Sequence, residues 1–293
     1  MKLDLKLLKK IFLAERPPGK EQEAISLILN YCKNIQNLTY KLDSENNLFI
    51  IKNTNNQKYV SCIIAHMDSI ITHKGERLIS IRNGEIRGFQ KSDHTQCSLG
   101  ADDGIGICIA LQLLNELEDV KVIFTTQEEI GGIGAYTACY NKDFFKNINF
   151  FIQADRKGNS DLITNTNGIK SGAADFVFDI SDLSKKYGYK ENVGTFTDVG
   201  IFAEEFEISG VNISCGYKNE HTKLEYTVIS DAENCLNYIH DILIKLNNHS
   251  PYTIEIVQPN WMYYDDAFYQ EIEYNCSRCR DFDCLNCKWY NML

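Results

Sequence analysis

The sequence lacks any segment that would carry the chain into or across a membrane. No early run combines a basic start, a long apolar core and a small-residue cleavage site, so we expect no secretory signal. No uninterrupted apolar stretch is long enough to span a bilayer. These absences predict a cytoplasmic chain without a membrane partner.

A basic stripe is also absent. The 293 residues carry 30 Lys and Arg against 40 Asp and Glu, which gives a formal net charge of −10 at pH 7. Because nucleic-acid binding depends on cations that neutralise phosphates, we expect no nucleic-acid partner. No internal repeat is visible, and the hydrophobic and charged fractions of 44% and 24% are typical of a globular protein.

The eleven cysteines do not form the pattern of a disulfide framework. Seven are scattered through predicted core elements, which favours a reducing, cytoplasmic compartment. The other four form two Cys-x-x-Cys pairs, and such pairs can chelate a structural Zn²⁺. The gap between the pairs is shorter than in ordinary zinc ribbons, so redox-active thiols, free thiols and an iron–sulfur centre stay open as alternatives. The four residues are Cys276, Cys279, Cys284 and Cys287.

Predicted strands alternate with predicted helices along most of the chain. This order predicts a three-layer α/β/α sandwich around a mixed, mainly parallel central sheet. Asn83 and Gly84 separate two apolar segments and predict a β-hairpin. The predicted helices span residues 3–14, 20–35, 103–117, 133–141, 198–206 and 231–247. The predicted strands span residues 47–53, 58–65, 120–127, 149–154, about 170–180, 210–215 and 252–257.

Five acidic or imidazole residues stand where predicted elements end. In an open α/β sheet the carboxyl ends of neighbouring strands converge on one crevice, so residues distant in sequence become neighbours. Imidazole and carboxylate groups are ligands of Zn²⁺, and Co²⁺ or Mn²⁺ can occupy the same kind of site. Each residue alone could be an ordinary hydrogen-bonded side chain, but their joint occurrence predicts a site for two divalent metals. They are His66, Asp102, Glu129, Asp155 and His221.

Two further carboxylates accompany this set. Asp68 follows His66 by two positions, so both side chains lie on the same face of an extended segment. A carboxylate there can accept the free ring N–H of a metal-bound imidazole and fix its tautomer. Glu128 adjoins Glu129 at a predicted strand end, where one can act as ligand and the other as proton carrier.

The motifs around these residues resemble those of the co-catalytic zinc exopeptidases, the superfamily that includes the peptidase T/M20, M28 and M42 families. The order and spacing of the motifs agree as well, and the similarity runs from about residue 15 to about residue 247. The matching segments are residues 65–68, 99–104, 124–131, 154–156 and 220–226.

The resemblance implies a role for each ligand. Asp102 would bridge both metals, His66 and Asp155 would complete the ligands of one, and Glu129 and His221 would complete those of the other. Two such cations lower the pKa of a bridging water and polarise the scissile carbonyl.

The same resemblance implies that Glu128 is the general base that activates the water between the metals, and that Asp68 orients His66. The chain would then cleave peptide bonds, as an aminopeptidase or a di- or tripeptidase acting on short peptides. An N-acyl-amino-acid deacylase, with acylated amino acids as substrates, is the alternative within the same chemistry. A non-catalytic, metal-stabilised binding or adaptor protein is the alternative from another class.

Substrate recognition and domain organisation are less fully specified. Arg156, Thr197 and Tyr217 are candidates to line the substrate pocket, and Asp198 resembles a helix cap with a structural or substrate-contacting role. Only about forty residues separate Asp155 from Asp198, enough for strands and a short helix over residues 181–187 but too few for a full lid or dimerisation domain. We therefore predict a catalytic domain over residues 1–258 and an acidic, aromatic tail over residues 259–293, and leave the oligomeric state open.

Overall fold

Helices and strands alternate through the computed structural model, which describes residues 1–53, 57–70 and 75–256. The predicted domain boundary near residue 258 and the four cysteines Cys276, Cys279, Cys284 and Cys287 lie outside these residues. The helices are α1 (Leu5–Leu13), α2 (Gln22–Cys32), α3 (Ala101–Glu116), α4 (Ile133–Ala138), α5 (Lys142–Phe145), α6 (Ala174–Asp179), α7 (Ser181–Tyr187), α8 (Asp198–Phe206) and α9 (Ile229–Lys245).

Thirteen strands lie within the same described residues. They are β1 (Leu38–Leu42), β2 (Leu48–Asn53), β3 (Val60–His66), β4 (Arg77–Arg82), β5 (Glu85–Gln90), β6 (Gln96–Cys97), β7 (Asp119–Thr125), β8 (Ile148–Arg156), β9 (Asp161–Thr166), β10 (Lys190–Gly194), β11 (Gly210–Ser214), β12 (Tyr217–Lys218) and β13 (Tyr226–Val228). A short 3₁₀ turn over Glu128–Ile130 follows β7.

The central sheet has the order β1-β2-β7-β3-β8-β11-β9-β10. Its middle strands run parallel, since β3 pairs in parallel with both β7 and β8, and β11 pairs in parallel with β8. β3 and β7 are buried along their whole length, as expected for strands covered on both faces. Antiparallel strands flank this core, because β1 pairs with β2 and β2 with β7. The predicted mixed, mainly parallel sheet is confirmed.

Helices cover both faces of the sheet and complete the three predicted layers. On one face α3 packs against β3 and β8, with α1, α2 and α9 around it. On the other face α8 packs against β8 and β11, beside α4 and the phenylalanines of α5. None of the helices in the described residues is long and apolar enough to cross a membrane.

A second, smaller sheet lies beside the first. It has the order β12-β13-β5-β4, with β6 added to β5. The β4–β5 hairpin turns at Asn83 and Gly84, whose φ angles of 52° and 78° suit the two central positions of a type I′ turn. Pairing of β13 with β5 fixes the chain that follows His221. The predicted hairpin is therefore confirmed, and this sheet supports part of the site.

No separate lid is inserted in the described segment between Asp155 and Asp198. Its strands β9 and β10 pair with each other, and β9 also pairs with β11, so both extend the central sheet. The helix predicted over residues 181–187 is α7.

Two strand predictions are wrong. Residues 174–179 form helix α6, because Ala173, Phe176 and Ile180 are buried with the i, i+3, i+7 spacing of a helix face, whereas Phe178 is exposed. Residues 252–256 form no strand, although Thr253 makes an isolated bridge to Ile208. Six strands were not predicted, namely β1, β6, β9, β10, β12 and β13. Of these, β1 and β10 are the edge strands of the central sheet, and both are largely exposed. The residues of β10 show little apolar alternation, whereas the alternation of Leu38, Tyr40 and Leu42 in β1 was missed.

An aromatic cluster on one face of the sheet allows a test of the packing. Phe145 is buried, with ring centroids 4.3 Å from Phe206 and 5.2 Å from Phe202. We expect Phe145→Ala to lower the free energy of unfolding by about 3–5 kcal/mol, because the cavity left behind cannot fully collapse. The exposed Tyr140→Ala should change it by less than about 0.5 kcal/mol. Urea unfolding of both variants measures the difference, and equal losses would contradict this packing.

Candidate active site

The five residues predicted as metal ligands lie together at the carboxyl-terminal edge of the parallel strands. His66 is the last residue of β3, and Asp155 is the penultimate residue of β8. Asp102 lies at the start of α3, Glu129 in the 3₁₀ turn after β7, and His221 in the loop between β12 and β13. Parallel pairing of β7, β3 and β8 thus brings three distant parts of the chain to one crevice.

Asp102 lies between the two imidazoles. Its Oδ1 is 2.9 Å from Nε2 of His66, and its Oδ2 is 3.3 Å from Nε2 of His221. The carboxylate is nearly buried, so solvent does not compete strongly for either oxygen. Each oxygen therefore faces a different imidazole, which is the arrangement that a carboxylate bridging two cations requires.

Each imidazole also has a second carboxylate. His66 Nε2 is 3.6 Å from Oδ1 of Asp155, and His221 Nε2 is 2.8 Å from Oε2 of Glu129. The side chains thus fall into two pairs that share Asp102, His66 with Asp155 and His221 with Glu129. This is the grouping that the family resemblance implies.

Asp103 lies close enough to join the first group. Ligand atoms of His66, Asp103 and Asp155 lie within 4.8 Å of one another, as do those of His66, Asp102 and Glu129. The Asp103 carboxylate, however, accepts the backbone N–H of His66 at 3.2 Å and that of Gly106 at 2.9 Å. Because these bonds engage both of its oxygens, we interpret Asp103 as an anchor between β3 and α3.

The electrostatics of the cluster suit bound cations. Burial opposes the protonation of His66, but hydrogen bonds to carboxylates, that of Asp102 first, raise its pKa well above the usual value. Hydrogen bonds to Asp102 and then Glu129 raise the pKa of His221 to about 10. Burial and the nearby charge of Asp102 raise the pKa of Asp155 to about 8. Among the described residues, only the imidazoles of His66 and His221 form ion pairs with the carboxylates of Asp102, Asp155 and Glu129. No Lys or Arg in that part of the chain neutralises these carboxylates through an ion pair, so the set of imidazole and carboxylate donors fits divalent cations.

Asp68 holds several parts of the site together. Its Oδ1 lies 3.4 Å from Nδ1 of His66, on the ring edge that faces away from Asp102. Its two oxygens also accept the backbone N–H groups of Glu128 and Glu129, both at 3.0 Å. Burial opposes ionisation of Asp68, but the His66 imidazole and these N–H groups lower its pKa. Asp68 therefore lies against His66 and, through these N–H groups, fixes the turn that carries Glu129; that it orients the His66 ring stays a prediction.

Glu128 and Glu129 were predicted to lie at a strand end, but they lie in the 3₁₀ turn that follows β7. β7 ends at Thr125, and Gln127 has a left-handed φ of 55°, which turns the chain into the 3₁₀ turn. Burial, with the charges of neighbouring aspartates, raises the pKa of Glu128 to about 9, while the charge of His66 opposes this rise. Cations bound nearby favour the carboxylate form.

A cavity of about 400 Å³ opens onto the cluster. The three residues predicted to line a pocket all lie on its wall. Tyr217 Oη donates to Oδ1 of Asp155 at 3.3 Å, Thr197 Oγ1 donates to Oε1 of Gln153 at 3.1 Å, and Arg156 pairs with Asp161. The wall includes Asp102, Glu128, Glu129, Asp155, His221, Arg156, Thr197 and Tyr217.

Asp198 does not cap its helix through its side chain. Its buried carboxylate accepts a hydrogen bond from Oγ1 of Thr125, and it is not on the cavity wall. The first turn of α8 is capped instead by Gln153, whose Oε1 accepts the N–H of Val199 at 2.8 Å. Of the two roles left open by the sequence, the structural one fits these contacts.

Two buried charged residues behind the site, Arg16 and Glu225, have roles that the sequence did not indicate. Arg16 donates to the backbone carbonyls of Met67 at 3.0 Å, Asp68 at 2.7 Å and Gly100. Glu225 accepts backbone N–H groups from the loop that leads to Asp102. Both residues lie in or near motif segments, but their partners are main-chain atoms far away in the sequence.

The fold and a family match together show a metallo-exopeptidase. The chain matches Peptidase family M28 over residues 46–258. This match spans more than half of the chain, and the chain therefore belongs to peptidase family M28. A search of curated protein sequences gives no match.

Solved structures share the fold at low sequence identity. A tripeptidase from Staphylococcus aureus subsp. aureus mu50 is 14% identical, with a TM-score of 0.69 over 82% of this chain and 96% of that chain. The aminopeptidase PepT from Bacillus cereus ATCC 10987 is 12% identical, with a TM-score of 0.68 over 83% and 97%. The TET1 peptidase from Pyrococcus horikoshii is 16% identical, with a TM-score of 0.59 over 82% and 98%. At these identities the likeness shows the fold alone.

The contacts of Asp68 lead to a test of the site. We expect Asp68→Asn to weaken metal binding on the order of 10- to 100-fold, because the amide cannot hold the His66 ring or accept both N–H groups as a carboxylate does. Calorimetric titration of the metal-free protein with Zn²⁺ measures the change. Asp93→Asn, which alters an exposed carboxylate bonded to Thr95, is the control and should leave the affinity unchanged. Equal affinities for both variants would contradict the role given to Asp68.

Proposed function

We propose that this chain is a dinuclear metal-dependent exopeptidase that acts on short peptides as an aminopeptidase or a di- or tripeptidase. The observation that carries the proposal is the placement of Asp102 between His66 and His221, each of which has a second carboxylate of its own. Zn²⁺ is the metal that this mixture of imidazole and carboxylate ligands favours, and Co²⁺ or Mn²⁺ can substitute.

His66, Asp155 and Asp102 would hold one cation, and Glu129, His221 and Asp102 the other. When bound, two such cations supply a polarised scissile carbonyl and a water of lowered pKa. The protein itself must keep the metal ligands in place. Asp68 would do so by contacting the ring of His66 and by accepting the backbone N–H of Glu129.

Glu128 is the proposed general base. Its side chain is on the cavity wall with the ligands, whereas its main chain is fixed by Asp68. In the carboxylate form it can accept a proton from the attacking water and then deliver that proton to the leaving amine. A single residue can perform both transfers because water and leaving group are handled in the same cavity.

The cavity suits a small substrate. Its volume of about 400 Å³ falls near the lower limit for ligand pockets, which suits one or two amino-acid residues better than a folded protein. On its wall Lys157 pairs with Glu220 at 2.6 Å, and Arg156 pairs with Asp161 at 3.2 Å. Carboxylates therefore already engage these two basic side chains on the cavity wall.

Replacement of the proposed base tests this function. We expect Glu128→Gln to lower kcat on the order of 10²- to 10⁴-fold, because the amide cannot accept the proton. Bound metal and melting temperature should stay unchanged, since Glu128 is not a proposed ligand. The measurement is amino-acid release from peptides with free amino ends and from N-acetylated amino acids.

The matched control is Glu205→Gln, which alters an exposed carboxylate paired with Lys142 and should keep full activity. Unchanged turnover in Glu128→Gln would contradict the proposed base. Absence of hydrolysis in the unaltered, metal-loaded protein would instead favour the non-catalytic binding protein. Release from the acetylated substrates alone would favour the deacylase.

The tail cysteines carry a separate prediction. Cys276, Cys279, Cys284 and Cys287 lie outside the described residues, and two Cys-x-x-Cys pairs fit a structural Zn²⁺. We expect the double variant Cys276→Ser, Cys279→Ser to lose about one Zn²⁺ per chain and to keep peptidase activity, because the pair supplies half of a tetrahedral site. Elemental analysis of the full chain measures the loss. Unchanged zinc content would contradict a tail site.

A further inference from the structure

One buried carboxylate outside the proposed ligand set holds the loop that leads to Asp102. The side chain of Glu225 is almost fully buried and accepts hydrogen bonds from consecutive backbone N–H groups. Its Oε2 accepts from Leu99 at 2.7 Å and Gly100 at 2.8 Å, and its Oε1 accepts from Ala101 at 2.7 Å and Asp102 at 3.3 Å.

These bonds replace a local helix cap. The first N–H groups of a helix have no partners within the helix and usually bond to a side chain just before it. The residue before α3 is Gly100, which has a left-handed φ of 73° and no side chain to offer. Glu225 supplies the missing acceptors from a position more than 120 residues away, with a charge that suits the positive end of the helix dipole.

Glu225 also belongs to the segment that carries His221. Its own N–H donates to the carbonyl of Thr222 at 3.3 Å, and Tyr226, which follows it, starts β13. One carboxylate thus connects the start of α3 to the loop of the second imidazole. Asp102 and His221, which lie 3.3 Å apart, belong to the two segments that Glu225 connects.

Arg16 reinforces the same loop from the opposite side. Its guanidinium donates to the carbonyl oxygen of Gly100, while the N–H of Gly100 donates to Glu225. A buried guanidinium also offsets part of the buried negative charge of Glu225 and Asp103. The loop is therefore held by a cation on its carbonyl side and an anion on its N–H side.

We propose that Glu225 is a positioning residue of the metal centre. It sets the placement of Asp102 against His221 and thereby the affinity for the cation held by Asp102, Glu129 and His221. This inference rests on the proposed dinuclear function, and it assigns to Glu225 an effect on metal binding beyond its contribution to folding.

Glu225→Gln tests the proposal on the full chain. The amide keeps the size of the side chain but has only one acceptor oxygen, so two of the four backbone donors lose their partner. We expect the affinity for the second Mn²⁺ to fall on the order of 10- to 100-fold. Mn²⁺ is the probe because thiolates such as those of the tail favour softer metals.

The readout is electron paramagnetic resonance during titration with Mn²⁺. Two Mn²⁺ ions that share Asp102 give an exchange-coupled spectrum, whereas isolated ions give the ordinary six-line signal. At two equivalents the unaltered chain should show the coupled spectrum, and Glu225→Gln should show mainly isolated Mn²⁺. Peptide hydrolysis followed in parallel should lose kcat with little change in KM.

Two further variants make the result decisive. Asp4→Ala removes a carboxylate that also accepts backbone N–H groups at a helix start, those of Lys6 and Leu7, but that is not among the site residues. It should lower the melting temperature and leave the coupled spectrum intact. Glu225→Asp keeps the charge on a shorter side chain and should lose less affinity than Glu225→Gln. If Glu225→Gln does not fold, the same comparison is made with Glu225→Asp.

The outcomes separate the two proposals. A Glu225 variant with a lowered melting temperature but unchanged Mn²⁺ affinities and spectrum would overturn the positioning role and leave the dinuclear function standing. An unaltered chain that binds only one Mn²⁺ and never shows coupling would contradict the dinuclear function, and the role of Glu225 with it.

Discussion

The sharing of one buried carboxylate by two imidazoles is the constraint on which the rest of the site depends. Asp102 can face His66 and His221 only if the end of β3, the start of α3 and the loop before β13 meet within hydrogen-bonding distance. The parallel strands of the central sheet position the end of β3, and the smaller sheet positions the loop before β13. The central sheet therefore positions His66, and the smaller sheet positions His221.

This arrangement concentrates negative charge in a place with little water. Asp102, Asp155 and Glu129 share two imidazoles, and the network behind them is satisfied largely by backbone N–H groups and by Arg16. Burying charges with too few partners costs several kcal/mol, so we expect bound cations to stabilise this cluster. Metal binding and stability should then be linked, since a ligand that binds only the folded state shifts the folding equilibrium.

Local patterns account for what could be predicted from the sequence. His66 and Asp155 stand at the ends of buried apolar strands. Asn83 and Gly84 both accept the positive φ angles that a type I′ hairpin turn requires. The predictions of secondary structure and of residue roles failed where tertiary contacts, rather than local sequence, determine the conformation. The edge strand β10 has no apolar alternation to reveal it, and residues 174–179 bury a helical face. Glu225 could not be assigned because its partners are backbone atoms more than 120 residues away, which no local pattern reports.

The most direct test of the dinuclear centre is anomalous diffraction at the zinc edge from crystals of the zinc-loaded protein. We expect two peaks, one on each side of the Asp102 carboxylate and about 3.5–4 Å apart, as in other two-metal sites. His66 and Asp155 should contact one peak, and Glu129 and His221 the other. A single peak at this position, or none, would contradict a dinuclear centre.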